Sequence, residues 1–190
     1  MGDEAFTDIV QVKRHPLRTA VIVAVALLVA AGAPALHWWT HPSVFGGLGD
    51  AHRLAPRPLD RAAVATAVTL PRTEGEAETV TIEDVQAVLS ENSARARVTF
   101  RICHLGPGED VIGTVHDPGR FCKDSETFEP GMSFRHGVAP DSDYLFAMIT
   151  PTSPGVVHLE QVEITYQRGR DGLYQQGTQT IRVDRKVVAR

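Results

Sequence analysis

The sequence predicts a mainly β chain: an antiparallel β-sandwich preceded by one transmembrane α-helix. Three observations carry that reading. An uncharged apolar run, Ala20 to Leu36, lies near the N-terminus, and nothing like it recurs. From Ala62 onward apolar residues return at every second position, the period of a strand with one buried face. Clusters of Gly, Pro, Asn and Asp break that pattern at short intervals, as turns do.

Residues 1–18 form a head with three acids (Asp3, Glu4, Asp8) and three bases (Lys13, Arg14, Arg18), too short to fold alone. Residues 19–39 are the transmembrane helix. Ala20 to Leu36 is 17 residues, and Trp38 and Trp39 extend the stretch to 20. At 1.5 Å per residue, about 20 residues cross a bilayer core. Val21, Ile22, Val23, Val25, Leu27, Leu28, Val29 and Leu36 together favour insertion by roughly 2 to 5 kcal/mol. Pro34 is expected to end or kink the helix. Lys13, Arg14 and Arg18 precede the run, and the first Lys or Arg after it is Arg53. The positive-inside rule then puts the N-terminus in the cytoplasm and the remainder outside, with the lipid bilayer as the first partner. The competing reading is a signal peptide cleaved at Ala33-Pro34-Ala35, which has the small-x-small form. Against it stand the acidic head and the length of the run. Ala26 and Ala30 have the spacing that lets a second helix approach closely.

Behind the helix there is room for one domain of ordinary size. The head is electrically balanced, so the formal charge of −4 falls on the rest of the chain. A mildly acidic domain argues against nucleic acid as a partner, because phosphate contacts need clustered Lys and Arg. The two cysteines, Cys103 and Cys122, are expected to form one disulfide on the oxidising side of the membrane. Residues 40–61 read as a Pro/Gly linker, punctuated by Pro42, Gly46, Gly47, Gly49, Pro56 and Pro58. His37, His41 and His52 read as polar side chains at the membrane interface.

The β-domain is expected over 62–190. Its first strand runs from Ala62 to Leu70 and stops at Pro71. Val80 and Ile82 alternate with polar neighbours, the apolar parity switches at Glu83-Asp84, and Val85, Ala87 and Leu89 continue on the new parity. Such a switch predicts a β-bulge, because a one-residue slip turns every side chain over. After a turn at Glu91-Asn92-Ser93, Ala94, Ala96, Val98, Phe100 and Ile102 face the core, with Arg95, Arg97, Arg101 and Cys103 opposite. Val111-Ile112 predicts a short strand, and Phe128 to Phe134 a strand pair around Pro130-Gly131. Tyr144 to Thr150 is apolar on both faces, as in a central strand. Val157 to Val162 echoes Val80 to Val85, with the same parity switch, and Ile164 and Tyr166 close that strand. Arg168 to Gly177 reads as a Gly-rich loop. The last strand, Thr178 to Val188, buries Ile181, Val183 and Val187. No helix is expected after Leu36. Seven or eight short strands with Gly and Pro turns point to an immunoglobulin-like or fibronectin-like sandwich. Both tryptophans lie at the helix end and not between the two cysteines, which argues against the antibody subtype.

The segments Phe100-Arg101-Ile102-Cys103, Gly119-Arg120-Phe121-Cys122 and Thr165-Tyr166-Gln167-Arg168-Gly169 carry a resemblance. With the order of basic head, apolar helix, Trp-rich exit, linker and β-domain, the chain resembles uncharacterised single-pass proteins of high-GC actinobacteria. The resemblance covers most of the chain and implies its fold and placement, but no activity.

His104, Glu109, Asp110, His116, Asp117 and Asp124 cluster around the cysteines and form the candidate recognition loop. A metal site there lacks the usual spacings, with no C-x-x-C, H-x-H or H-E-x-x-H. Asp141-Ser142-Asp143 lacks the later ligands of a calcium loop. Ser125 sits in no nucleophile elbow. His158 and Tyr166 read as strand residues that pack or cap a face. No catalytic residue, metal or cofactor is expected. The functional expectation is a non-catalytic, membrane-tethered extracytoplasmic binding or accessory module with a membrane or extracytoplasmic protein partner. The alternatives are a structural subunit of a membrane complex recruited through the helix, and an extracytoplasmic enzyme or metal-binding protein using the His104/His116 loop.

Overall fold

A computed structural model describes residues 16–40, 43–46, 52–106, 113–116, 122, 124–140, 142–170 and 173–190. The chain divides into two units, Met1–Trp38 and Trp39–Arg190.

The first unit is built on helix α1, Pro16–Thr40. Proline suits a first helical position, where its missing N–H has no partner to lose. The stretch Ala20–His37 is long and apolar enough to cross a membrane. Its large apolar side chains, Val21 to Leu36, are 51 to 73% exposed. The helix does not stop at Pro34 but runs through it to Thr40. One missing backbone hydrogen bond is tolerated in an apolar helix whose other bonds remain.

The second unit is mainly β, with ten strands in two five-stranded sheets among the described residues. They are β1 His52–Arg53, β2 Val64–Ala67, β3 Glu78–Asn92, β4 Arg97–His104 and β5 Thr114–Val115. Then follow β6 Ser125–Thr127, β7 Met132–His136, β8 Asp143–Thr150, β9 Gly155–Arg170 and β10 Leu173–Ala189. The first sheet runs β1-β10-β9-β3-β7 and the second β5-β2-β8-β4-β6. All pairings are antiparallel except β1 with β10. The predicted central strand is β8, in the middle of its sheet.

The two sheets share one core. Val80, Ile82, Val162 and Ile164 from the first sheet meet Val64, Ile102, Leu145 and Ile149 from the second. The parity switch at Glu83-Asp84 is a register shift between Ile82 and Asp84 against β9. Its echo in β9 is equally real, since the ladder skips Glu160 between Leu159 and Gln161. Each bulge keeps apolar residues inward on both sides of a bend.

Several expectations change. Segment 40–61 is not a free linker where it is described. Val44 and Phe45 are buried in the core, His52–Arg53 pairs with β10, Leu59–Arg61 forms a 3-10 turn, and Arg57 bridges to Ala189. Proline and glycine composition marks irregular backbone, and irregular backbone can still pack. The loop expected over 168–177 is a continuation of β9 and β10, which pair from Leu173–Arg170 to Ala189–Gly155. The strand pair expected over Phe128 to Phe134 is not formed: β6 ends at Thr127 and pairs with β4, while β7 starts at Met132 after Gly131 at φ +87° and pairs with β3 in the other sheet. Val98 and Phe100 are half-buried instead of buried, because β6 covers only Arg101 to Cys103 and leaves the start of β4 at the sheet edge. Val111-Ile112 lies outside the described residues.

The second sheet also has a covered outer face. Ala65, Cys103, Tyr144 and Phe146 alternate with the core-facing residues and are buried with Leu105 and Cys122. A strand apolar on both faces therefore has a partner on each side.

Candidate functional site

Cys103 and Cys122 are bridged, with Cα atoms 5.9 Å apart. The bridge belongs to the outer-face cluster and does not cross the core, as the shared parity of Cys103 with Arg97 and Arg101 requires. Next to it, β4 ends on His104. Its Nδ1 lies 2.7 Å from Asp143 Oδ1 and its Nε2 3.1 Å from Glu126 Oε1. Ionised carboxylates only accept hydrogen bonds, so this clamp favours the doubly protonated ring. Burial pulls the His104 pKa down, and Asp143 and Glu126 outweigh it, so the net shift is upward. Asp143 Oδ2 also accepts the Arg135 backbone N–H at 2.7 Å, tying β8 to β7 across the two sheets.

The other described residues of the predicted loop, His116 and Asp124, do not join this clamp. His116 is exposed and its Nδ1–H donates to the Ala63 carbonyl at 3.0 Å. Asp124 is exposed, and its carbonyl accepts the His104 backbone N–H at 3.0 Å. Glu109, Asp110 and Asp117 lie outside the described residues. The two carboxylates on His104 touch opposite nitrogens, so they do not converge on one point. Among the described residues no group of three or more His, Cys, Asp or Glu is arranged to hold a metal ion.

A second place was not visible in the sequence. A cleft of about 480 Å³ opens between segment 43–46 and segment 70–74, with His136 in its wall. Val44, Phe45, Leu70 and Pro71 give it apolar surface, and Arg72 and Glu74 give it charge. Phe45 stands edge-on to three rings: Phe134 at 5.6 Å, His136 at 5.4 Å and Tyr166 at 5.0 Å between centroids. Backbone bonds hold the segment down. Val44 N–H is shared between Tyr166 Oη and Gln179 Oε1, both at 3.0 Å. Beneath it, Glu78 pairs with Arg72 at 3.0 Å and with Arg168 at 3.3 Å.

His136 is only 1% exposed, and among the described residues neither ring nitrogen has a hydrogen-bond partner. Burial first, and then the Arg72 cation, lower its pKa to about 4, while Glu78 and the nearby Val44 backbone oppose them weakly. The ring is therefore neutral near pH 7. Burial likewise pushes the Tyr166 hydroxyl up to about 12, so it stays a phenol. Chemically, the cleft offers apolar walls, one cation held by a carboxylate, and buried neutral groups behind the Phe45 ring. That suits binding of a partly apolar group. The only sequence signal was Val44-Phe45, an apolar pair inside a Pro/Gly stretch.

Compared with protein-family models, curated proteins and solved structures, the chain matches none.

Proposed function

We propose that the chain is a single-pass, membrane-tethered extracytoplasmic binding or accessory module, with its N-terminus in the cytoplasm and the cleft as its binding site. The β-domain is best read as an immunoglobulin-like or fibronectin-like sandwich, and the segment order fits the actinobacterial single-pass proteins that the chain resembles. One observation carries the reading. The cleft has as one wall a segment, residues 43–46, that begins three positions after the last residue of an exposed apolar helix. Clefts that mix apolar walls with a few fixed polar groups are the usual form of a binding site.

Two variants of the full-length chain test this. One replaces residues 19–39 by an unrelated membrane helix. The other, Thr73→Trp, fills the cleft from an exposed position. Partners co-purified in mild detergent and identified by mass spectrometry should survive the first change and vanish with the second. The reverse pattern would replace this reading by a structural subunit recruited through its helix. Protease added to intact cells should remove the β-domain, and its resistance would overturn the orientation.

A further inference from the structure

We propose that Ser90, His158 and Asp184 form a nucleophile, base and positioning carboxylate that hydrolyse carboxylic esters on the outer face of the first sheet. This goes beyond the binding role and does not use the cleft. Three adjacent strands supply the three side chains: Ser90 from β3, His158 from β9 and Asp184 from β10. Ser90 Oγ lies 2.8 Å from His158 Nδ1, and His158 Nε2 lies 2.7 Å from Asp184 Oδ1. His158 alternates with buried Val157 and Leu159, so it points away from the core.

The contacts select one tautomer of the neutral ring. An ionised Asp184 only accepts, so in the neutral imidazole Nε2 carries the hydrogen and Nδ1 keeps its lone pair for the Ser90 hydroxyl. That is the tautomer a general base needs. The hydrogen bond from His158, and then that from Arg182 at 3.0 Å, hold the Asp184 carboxyl below its ordinary range.

Two departures from regular sheet bring the three groups together. The β3–β9 ladder steps from Leu89–Leu159 to Glu91–His158, leaving Ser90 as an extra residue. The β9–β10 ladder shifts between Arg182 and Arg185, and Asp184 within it has φ +50°. Bulges re-aim side chains, and non-glycine residues in the left-handed region are uncommon and cost some strain. Without both irregularities this relay would not close.

Ser90 is exposed, so an ester can reach it. β7 pairs with β3 only over Glu78 to Ile82, and among the described residues nothing pairs with that edge beyond. Arg182, 77% exposed at its side chain, pairs with the Asp184 carboxylate at 3.0 Å and balances its charge. The open setting suits small O-acyl esters that need no deep pocket. In the reaction, Ser90 Oγ bonds to the ester carbonyl carbon while its proton passes to Nδ1. The bond to the alcohol oxygen breaks, and that oxygen takes the proton from Nδ1. Water then repeats the sequence on the acyl-serine, releasing the acid and restoring the hydroxyl.

The test uses the full chain in detergent with a fluorophosphonate probe, which phosphonylates activated serine and releases fluoride. The labelled peptide should contain Ser90, and labelling should disappear on heat denaturation and in Ser90→Ala. His158→Gln, which keeps a side chain of polar reach but no base, should slow labelling at least tenfold with an unchanged melting temperature. Asp184→Asn should slow it and move its pH profile. Hydrolysis of 4-nitrophenyl acetate should exceed that of Ser90→Ala by at least tenfold. No label on Ser90 in the folded wild-type chain would overturn the proposal. So would equal labelling of wild type and His158→Gln, which would make the relay a purely structural bond network.

Discussion

Gln179 grips the backbone of Phe45 from both sides. Its Oε1 accepts the Phe45 N–H at 3.1 Å, and its Nε2–H donates to the Phe45 carbonyl at 2.6 Å. The two residues are 134 positions apart, so the bond joins the segment after the helix to the last strand.

That grip makes residues 43–46 part of the fold. Phe45 is 3% exposed inside its ring cage. Phe45→Ala should cost about 3 to 5 kcal/mol, a large share of the roughly 5 to 15 kcal/mol that holds a domain. Gln179→Ala should cost about 1 to 3 kcal/mol through stranded backbone groups. Denaturant unfolding measures both. A β-domain cut to start at Ala62 should be less stable than one starting at Ser43. Equal stability of the two would show that the segment only rests on the surface.

Phe100 and Ile102 face the same side of β4, but only Ile102 is fully buried. Ile102→Ala should therefore cost about 2 to 5 kcal/mol. Phe100→Ala should cost about half of what a fully buried phenylalanine would, near 2 kcal/mol. A larger loss at Phe100 than at Ile102 would mean that something covers the β4 edge in solution.

The sequence made the strands legible wherever one side of a residue meets core and the other meets water. Val80 to Val85 and Val157 to Val162 show how far this goes, since each parity switch located a bulge to within a residue. Phe45 was hidden because its partners, Tyr166 and Gln179, are distant in sequence and local composition spoke for a linker. The Ser90 relay was hidden for the same reason. Its members are 68 and 26 positions apart, and two bulges outside any motif bring them together. The parity of Cys103 was the one local signal that placed a site residue, because it set the bridge on the face away from Phe100.

Two histidines should bend stability with pH in opposite directions. His136 is neutral in the fold down to about pH 4, against 6.5 for the free side chain. Above pH 6.5 both states are neutral and nothing changes. Between pH 6.5 and 4 only the unfolded chain takes the proton, so stability falls by roughly 3 kcal/mol in all, then levels off for this group. His104 has a raised pKa, so its contribution is complete below 6.5 and fades as pH rises through its folded value. That contribution is small, because its side chain is 37% exposed. Unfolding free energies from pH 4 to 9 should show a shallow maximum near neutrality. His136→Phe should flatten the acid limb and His104→Gln the alkaline one. An acid limb unchanged in His136→Phe would mean that His136 is not the buried neutral group described.

The Cys103–Cys122 bridge should stabilise a surface layer without being needed for the sheets. It closes a loop with a sequence separation of 19 and lies on the outer face of the second sheet, against Tyr144 and Phe146. On the chain-entropy account, closing a loop of that size restricts the unfolded chain by roughly 3 kcal/mol. The core between the sheets uses neither sulfur. Reduction should therefore lower stability by about that amount and leave the far-ultraviolet circular dichroism of the β-domain in place. Because Cys103 and Cys122 are almost fully buried, reduction should be slow in the folded chain and fast in denaturant. Thiol labelling of the denatured, unreduced chain should find no free cysteine, and labelling after reduction should find two. Two labelled cysteines before reduction would remove the staple, and with it the constraint on the acidic segment that follows His104.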